Sequence, residues 1–317
     1  MTGRLIQMSG IVIDIVYRVE AVPLAGQEAE VRSAGLSVGG GFNAMVAARR
    51  AGVEVSFGGT LGTGPLAAMA SAALVARGIP HIGGYRSDMD QGSCTVLVDD
   101  TGERTFIGLP GADGIVTDAD LAKVWPGPQD WILQSGYALS YTNSCAALLR
   151  WHKGHQRRMV FDPGPRVAAI PRAALRQVLD ATLWISANAA EAAVLTDLDD
   201  PEQSVRALAM QRPKTGGAVV RMGAAGAWLA QPQKTPSFVP AHPVTAIDTN
   251  GAGDTHIGFF VAMLAQGLPA TEALRGANIA AALSTTLAGP STAPNRLRVQ
   301  NLLSRASQTI NQQGTFQ

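Results

Sequence analysis

Short apolar runs rich in β-branched residues alternate along this chain with stretches rich in alanine and leucine. The predicted strands are LIQMSGIVIDIV, EVSFGGTLG, WILQSG, RMVFDPG, TLWISAN, AVVRMG and TAIDT, and helical stretches such as NAMVAARRAG lie between many of them. Strands that alternate with helices form βαβ units, and their parallel sheet is covered by helices on both faces. No linker rich in Pro, Gly or Ser divides the 317 residues. We therefore expect one three-layer α/β/α domain over residues 1–317, with a mostly parallel central sheet.

Two segments do not follow this alternation. EAEVRSAGLSV (28–38) and SCTVLVDDTGERTFI (93–107) are typical of antiparallel strands, and neither is followed by a helix that would make it a βαβ unit. The second segment contains the turn DDTGE, in which Gly102 supplies a position suited to a positive φ. We expect a small β-sheet that projects from the main domain as a lid, formed by segments at about 15–38 and 92–110.

The charge composition excludes several classes of partner. Lys and Arg total 25 and Asp and Glu total 24, so there is no basic excess to bind nucleic acid or an anionic membrane. No apolar run reaches the roughly 18 residues of a membrane span. The two cysteines do not form a disulfide framework, and the N-terminal residues lack a signal-peptide cleavage pattern. These features predict a cytoplasmic protein with free thiols.

Polar residues follow several of the predicted strands. In open α/β sheets, ligands bind outside the carboxyl ends of the strands. These positions therefore predict one polar crevice. The candidates to line it are Asp14, Asp162, Asn188, Gly223 and Asp248.

The segment DTNGAGDTHIGFF (248–260) predicts the start of a helix. Gly267 and Pro269 would end this helix, which begins near Gly251 and places Asp254 in its first turn. One apolar helical face is formed by residues at i, i+3, i+4 and i+7, namely Ile257, Phe260, Val261 and Leu264.

The first turn of this helix combines an anion cradle with a carboxylate. The first N–H groups of a helix have no partner within it and carry the positive end of the dipole. Gly251, Ala252 and Gly253 leave these groups open to an anion. Asp254 beside them could take a proton from an attacking hydroxyl while the amides stabilise a transferred phosphoryl group. The alternative is an acidic residue that only favours the dipole, with glycines present for close packing.

The same segment resembles the carboxy-terminal signature of the PfkB (ribokinase-like) family of carbohydrate kinases, D-T-x-G-A-G-D. The resemblance implies a ribokinase-like fold and ATP-dependent phosphorylation of the hydroxymethyl group of a small sugar or sugar derivative. It implies Asp254 as the general base and Gly251, Ala252 and Gly253 as the anion hole. Asp248 can then lie near a monovalent-cation site for K⁺. His256 departs from the family pattern, and we interpret it as a packing or surface residue.

The segment SVGGGFNAMVAARRAG (37–52) resembles the family's amino-terminal signature, G-G-x-x-x-N-x-A. The resemblance implies that this loop and an upstream carboxylate bind the hydroxyl groups of the acceptor. Val38 stands in place of the first glycine of the signature. The implied acceptor-binding residues are Asp14, Gly39, Gly40 and Asn43.

The same glycines allow a different interpretation. Gly39, Gly41 and Ala44 satisfy the dinucleotide pattern G-x-G-x-x-A, which would make the protein an oxidoreductase. That pattern needs an acidic residue about 20 positions further on, at the end of a strand. The sequence there is FGGTLGTG, which contains none.

Three further segments resemble the nucleotide side of the family site. SANAAE matches an N-x-x-E motif, which implies that Asn188 and Glu191 organise Mg²⁺ through water near the phosphates of ATP. RMGAAGAW resembles a glycine loop beside the nucleotide, through Gly223 and Gly226. GANIAAALSTTLAGP resembles the helix beside adenine, through Asn278.

One position in these segments has no assigned role. Arg221 stands where the glycine-loop motif usually has Thr. FDPGPR resembles D-P-N-P-R, and we interpret Asp162 and Arg166 there as structural residues.

Two alternatives within the same fold remain. A nucleoside kinase would use Phe42 or Tyr137 to stack on the base, and a non-catalytic sensor would bind the same ligands without turnover. We expect a homodimer, because an exposed lid sheet could pair with the sheet of another subunit.

Overall fold

The computed structural model of the protein describes residues 3–153 and 158–313, and its elements follow the predicted alternation. The strands are β1 (Leu5–Gln7), β2 (Ile11–Val19), β3 (Val31–Gly40), β4 (Val55–Phe57), β5 (Ser93–Val98), β6 (Arg104–Leu109), β7 (Trp131–Ser135), β8 (Arg158–Asp162), β9 (Trp184–Asn188), β10 (Gly217–Arg221), β11 (Gly226–Ala230) and β12 (Ser237–Pro240). The α-helices are α1 (Gly41–Arg50), α2 (Pro65–Ala76), α3 (Asp118–Leu121), α4 (Thr142–His152), α5 (Arg172–Asp180), α6 (Ala189–Thr196), α7 (Pro201–Met210), α8 (Ala252–Ala265), α9 (Ala270–Ser284) and α10 (Arg296–Gln313). Within the described ranges, no helix is both long and apolar enough to cross a membrane.

The larger sheet has eight strands in the order β12-β11-β10-β9-β8-β7-β1-β4. Its six neighbouring strands β10, β9, β8, β7, β1 and β4 run parallel to one another. Strands β11 and β12 extend the sheet at one edge and pair antiparallel. Neighbouring residues point to opposite faces, so Leu5 packs in one core and Ile6 in the other. Helices α1, α8 and α9 cover the first face, and α4, α5 and α7 cover the second. This confirms the expected three layers around a mostly parallel sheet.

The smaller sheet has four strands in the order β3-β2-β5-β6. Both predicted antiparallel segments belong to it, and the turn between β5 and β6 places Gly102 at a φ of 85°. The run LIQMSGIVIDIV is predicted as one strand, and this prediction is wrong. The run supplies β1 to the larger sheet and β2 to the smaller one. Asp14 therefore lies within β2 and does not end a strand of the core.

The expected strand TAIDT is also wrong, since residues 245–249 lie outside every strand and helix. The N–H groups of Ile247 and Asp248 both donate to the carbonyl of Thr285, at 2.7 and 3.0 Å. Their backbone bonds thus go to the end of α9 rather than to a neighbouring strand.

Helices α1 and α8 pack closely because small residues line their contact. A Cβ atom on Gly258 would lie 2.4 Å from the carbonyl oxygen of Ala44 and 2.8 Å from the Cβ of Ala47. Asn43 and Asp254 each lie in the first turn of their helix, at the same end of this contact. The backbone approach therefore sets the distance between these two side chains.

We expect Gly258→Val to lower the free energy of unfolding by about 1–3 kcal/mol, because added atoms in a packed contact force the helices apart. Urea unfolding followed by circular dichroism measures this. Gly35→Ala is the control, since the space beyond Gly35 is open and such changes usually alter stability by less than about 0.5 kcal/mol. Equal unfolding midpoints for the two variants would contradict the packing argument.

Candidate active site

A cavity of about 640 Å³ lies between the carboxyl ends of the larger sheet's strands and one face of the smaller sheet. It joins motifs from both ends of the chain. The predicted site residues that line it are Asp14, Gly40, Asn43, Asp162, Glu191, Gly251, Gly253 and Asp254. Three arginines, Arg104, Arg166 and Arg221, and three aromatic residues, Phe106, Tyr137 and Tyr141, also line it.

Asp254 is half-buried on the wall of this cavity. Its Oδ2 accepts a hydrogen bond from Nδ2 of Asn43 at 3.2 Å. Burial raises the pKa of Asp254 to about 7, and the charge of Asp162 adds to this, while the Asn43 bond and the Arg221 charge oppose it. A carboxyl group with this pKa exchanges protons near neutral pH, which suits a general base.

The N-terminus of α8 presents backbone donors beside Asp254. Gly251 caps the helix in the left-handed conformation, with φ 71°, and a Cβ there would lie 2.3 Å from the Pro290 carbonyl oxygen. This position therefore requires glycine. The N–H groups of Gly251 and Gly253 have no hydrogen-bond partner among the described residues. The N–H of Ala252 instead donates to the Thr249 carbonyl at 3.3 Å.

The Asp14 carboxylate occupies space that Gly39 leaves free. A Cβ on Gly39 would lie 2.2 Å from Oδ2 of Asp14, so any side chain would displace the carboxylate. Gly40 has φ 63°, and its Cβ would lie 2.7 Å from the Gly10 carbonyl oxygen. Burial raises the pKa of Asp14 to about 6. Gly39 thus shapes the site from behind, whereas Asp14 faces the cavity.

Arg221 connects two acidic residues on the cavity wall. Its Nη2 lies 3.3 Å from Oδ1 of Asp162 and 3.5 Å from Oε2 of Glu191, and its Nη1 donates to Oγ of Ser186 at 2.9 Å. Burial raises the pKa of Glu191, the Asp162 charge raises it further, and Arg221 opposes both. Arg221, to which the sequence assigns no role, is therefore the centre of an ion-pair cluster.

Asn188 and Glu191 form a capping box at the start of α6. Oδ1 of Asn188 accepts from the Glu191 N–H, and Oε2 of Glu191 accepts from the Asn188 N–H, both at 2.8 Å. Such a box satisfies backbone donors that the helix leaves free. Glu191 lines the cavity and Asn188 does not.

The other predicted nucleotide residues also lie off the cavity wall. Gly223 faces open space at φ 56°, and a Cβ on Gly226 would lie 2.2 Å from the Val239 carbonyl oxygen. Asn278 is buried, and its Nδ2 donates to the carbonyls of Val239 and Pro240 at 2.9 and 3.1 Å. The interior contacts of Gly226 and Asn278 fix strand β12.

His256 is buried beside Asn278. Burial lowers the pKa of His256 to about 3, so the ring is neutral at physiological pH. Its Nε2 lies 3.0 Å from Oδ1 of Asn278 and donates to it. This agrees with the interpretation of His256 as a packing residue.

Several contacts at the site involve residues outside the predicted set. Oγ of Ser291 donates to Oδ1 of Asn43 at 2.8 Å, and thereby orients the amide so that its Nδ2 faces Asp254. Arg104 reaches Asp248 from the smaller sheet at 2.7 Å. No motif marked Ser291, because its partner lies 248 positions away in the sequence.

Two aromatic residues of the cavity, Tyr137 and Tyr141, follow β7, and the third, Phe106, lies on β6. Burial raises the pKa of Tyr137 to about 12, so the phenol stays protonated. The Arg166 guanidinium lies over the Tyr141 ring, 5.5 Å from its centroid, and Arg166 has no acidic partner among the described residues. Phe42 is buried in the core, so it does not offer a face for stacking on a base.

We expect Asp254→Asn to gain stability relative to the wild type as pH rises from about 4 to 8. The folded-state pKa of Asp254, about 7, lies above its ordinary value of 3.8. The contribution of the protonated carboxyl to the stability of the fold is therefore complete below pH 3.8 and is lost as pH rises through 7. Urea unfolding over this pH range measures the difference. Asp118→Asn is the control, because a bond from Arg150 lowers the pKa of Asp118 below 3.8, so its stability difference from the wild type should change little between about pH 4 and 8. Parallel stability curves for wild type and Asp254→Asn would contradict the assignment.

Comparison with protein families shows what the chain is related to. Residues 5–296 match the family model described as pfkB family carbohydrate kinase. The uncharacterized sugar kinase YegV of Escherichia coli K12 is 31% identical over 290 residues, which cover 90% of this chain and 89% of YegV. An ATP-dependent ribose-1-phosphate kinase of Halopiger xanaduensis is 31% identical over 297 residues, which cover 92% of this chain and 95% of that protein.

Solved structures show the same fold. The ribokinase of Arabidopsis thaliana complexed with ribose and ATP has a TM-score of 0.81 and 22% identity, and the match covers 96% of this chain and 99% of that one. A structure of this fold from E. coli contains ATP and Mg²⁺, with a TM-score of 0.80, 21% identity, and coverage of 96% and 99%. The expected ribokinase-like fold and the expected enzyme class, a kinase with an alcohol group as acceptor, are confirmed. The chain belongs to the pfkB family of carbohydrate kinases.

Proposed function

We propose that the protein transfers the terminal phosphoryl group of ATP to the hydroxymethyl group of a small sugar or sugar derivative. One observation carries this proposal: the Asp254 carboxylate lies beside backbone donors that have no partner among the described residues, at the cavity that also contains Asp14. A proton acceptor next to an anion cradle supplies the two groups that phosphoryl transfer requires.

The chemical step uses Asp254 and the start of α8. Asp14 and Asn43 hold hydroxyl groups of the acceptor, and the hydroxymethyl oxygen faces Asp254. Asp254 takes the proton of that oxygen as the oxygen–phosphorus bond forms and the bond to the ADP oxygen breaks. The N–H groups of Gly251 and Gly253, with the positive end of the helix dipole, stabilise negative charge on the transferred group.

We propose that the smaller sheet acts as a lid over this reaction. It carries Asp14 on β2, and Phe106 and Leu109 on β6 line the cavity opposite the larger sheet. Closure would exclude water, which otherwise competes with the acceptor for the phosphoryl group.

The nucleotide side of the proposal concerns the ends of β9 and β10. We place ATP beyond Asn188 and Gly223, with Gly226 and Asn278 as supports of that surface from within the fold. Glu191 and Asp162 fit an indirect contact with Mg²⁺, because this ion keeps several waters and takes few protein ligands. When bound, Mg²⁺ would neutralise charge on the phosphate oxygens.

The surroundings of Asp248 do not fit a monovalent cation. Oδ1 of Asp248 accepts from Arg104 and from the Asn250 N–H, and Oδ2 accepts from the Gly289 N–H. The carboxylate already has a positive partner, so no step of the proposal uses K⁺.

We also propose a homodimer formed through the smaller sheet. Apolar side chains on its strands are exposed, including Leu36 at 56% and Ile107 at 59%. Exposed strands of this kind favour pairing with a second sheet.

A nucleoside kinase is the second candidate. Tyr137, Tyr141 and Phe106 line the cavity and could contact a base. The nucleoside kinase is the weaker candidate, because Phe42, one of the two residues expected to stack on the base, is buried.

An ADP-release screen with sugars, sugar acids and nucleosides decides between these acceptors. Sugar acids belong in the panel because Arg166 has no acidic partner among the described residues. Thermal shifts add a second test: stabilisation by ATP–Mg²⁺ but not by NADH supports a kinase over a dinucleotide-dependent oxidoreductase. ATP binding without ADP release for every acceptor class would favour the sensor.

We expect Asp254→Asn to keep the fold and lower kcat by roughly 10²–10⁴, because an amide cannot accept the proton. Steady-state ADP release measures kcat, and circular dichroism checks the fold. Unchanged turnover would exclude Asp254 as the general base.

We expect Asp14→Ala to raise the KM for the acceptor more than the KM for ATP, because Asp14 lies on the acceptor side of the cavity. Initial rates with each substrate varied in turn measure both constants. An equal rise in the two KM values would show that Asp14 does not bind the acceptor.

A further inference from the structure

We propose that Arg104 is a positioning residue that couples the smaller sheet to the loop carrying the open amides of α8. The inference rests on the proposed function, because it gives Arg104 a part in phosphoryl transfer. Arg104 is the first residue of β6, and its guanidinium crosses from the smaller sheet to Asp248. It therefore links the part of the protein that covers the cavity to the part that carries the anion cradle.

Asp248 joins three separate segments of the chain. Its Oδ1 accepts from Nη2 of Arg104 at 2.7 Å and from the Asn250 N–H at 2.9 Å. Its Oδ2 accepts from the Gly289 N–H at 3.0 Å. One carboxylate thus holds the loop before α8 against both the turn after α9 and the smaller sheet.

The position of Asp248 also determines the position of Gly251. Pro290 follows Gly289, and its carbonyl oxygen lies 2.3 Å from where a Cβ of Gly251 would be. Gly251 is thus held between the 248–250 loop and the Gly289–Pro290 segment, and Asp248 bonds to both. A shift of the Asp248 carboxylate would move the peptides that face the phosphoryl group, and small displacements of catalytic donors are costly.

Arg104 and the acceptor residue Asp14 belong to the same hydrogen-bonded sheet. Asp14 pairs with Cys94, and Arg104 pairs with Val98, four residues further along the same strand β5. Both side chains line the cavity. Because Arg104 is already bonded to Asp248, a movement of this sheet that brings Asp14 onto an acceptor would be transmitted through Arg104 to the loop before α8. Acceptor binding and placement of the amides become one event.

The Arg104–Asp248 pair differs from the other ion pair of the smaller sheet. Its side chains are 28% and 13% exposed, whereas those of Arg32 and Asp100 are 54% and 46% exposed. Burial pushes the pKa of Asp248 up, but the backbone N–H bonds and Arg104 outweigh it and hold the pKa below its ordinary value. Charge-assisted bonds of this kind are stronger than solvent-exposed pairs. Arg32, which does not reach the larger sheet, is a matched control.

The first test compares Arg104→Met with Arg32→Met in ADP release with ATP–Mg²⁺ and D-ribose, D-fructose, D-gluconate or adenosine. We expect Arg104→Met to lower kcat about 10- to 100-fold, because the amides are displaced, with smaller changes in both KM values. Arg104→Lys should recover part of the loss, and Arg32→Met should match the wild type. Equal kcat values for wild type and Arg104→Met would overturn the coupling and leave the proposed function intact.

The second test does not depend on turnover. Hydrogen exchange should be faster at residues 248–253 in Arg104→Met than in the wild type, and unchanged in Arg32→Met. A wild type that releases no ADP with any acceptor would contradict the proposed function, while exchange at 248–253 would still decide the coupling. Unchanged exchange there in Arg104→Met would overturn it. If Arg104→Met does not fold, the comparison of Arg104→Lys with Arg32→Lys decides in the same way.

Discussion

The close contact between α1 and α8 is the constraint on which the rest of the site depends. Gly258 removes the side chain that would otherwise separate the two helices, so the backbone of α8 approaches Ala44 directly. Asn43 and Asp254 are 211 positions apart in the sequence, yet their side chains share a hydrogen bond at the helix ends. The N-termini of both helices point toward one cavity, where the positive ends of their dipoles favour negative charge.

The carboxylates around this cavity divide by their partners. Asp14 and Asp254 form no salt bridge with any described residue, and burial raises the pKa of both toward neutrality. Asp248 has Arg104 and two backbone donors, and its pKa is lowered. Unpaired, partly buried acids are suited to binding hydroxyl groups and exchanging protons, whereas a paired acid stays ionised and holds structure. The same residue type thus serves chemistry in one place and architecture in another.

The motif residues divide in a similar way between the cavity and its support. Asn188 caps α6 and thereby fixes Glu191, which does face the cavity. Asn278 and Gly226 stabilise strand β12. A motif marks positions at which a site requires a particular residue. Such a residue can line the cavity or can support the cavity wall from the interior of the protein.

The sequence by itself determined the layered parallel sheet, the start of α8 at the DTNGAGD segment and the presence of a second, smaller sheet, because these follow from local periodicity, glycine conformation and free helix-end donors. Only the tertiary structure decided that LIQMSGIVIDIV divides between two sheets, since a period of two indicates a strand but not its neighbours. It also decided the partners of Arg221, Ser291 and Arg104. These contacts join residues far apart in the chain, and their distances depend on how whole helices and sheets pack, which no local pattern encodes.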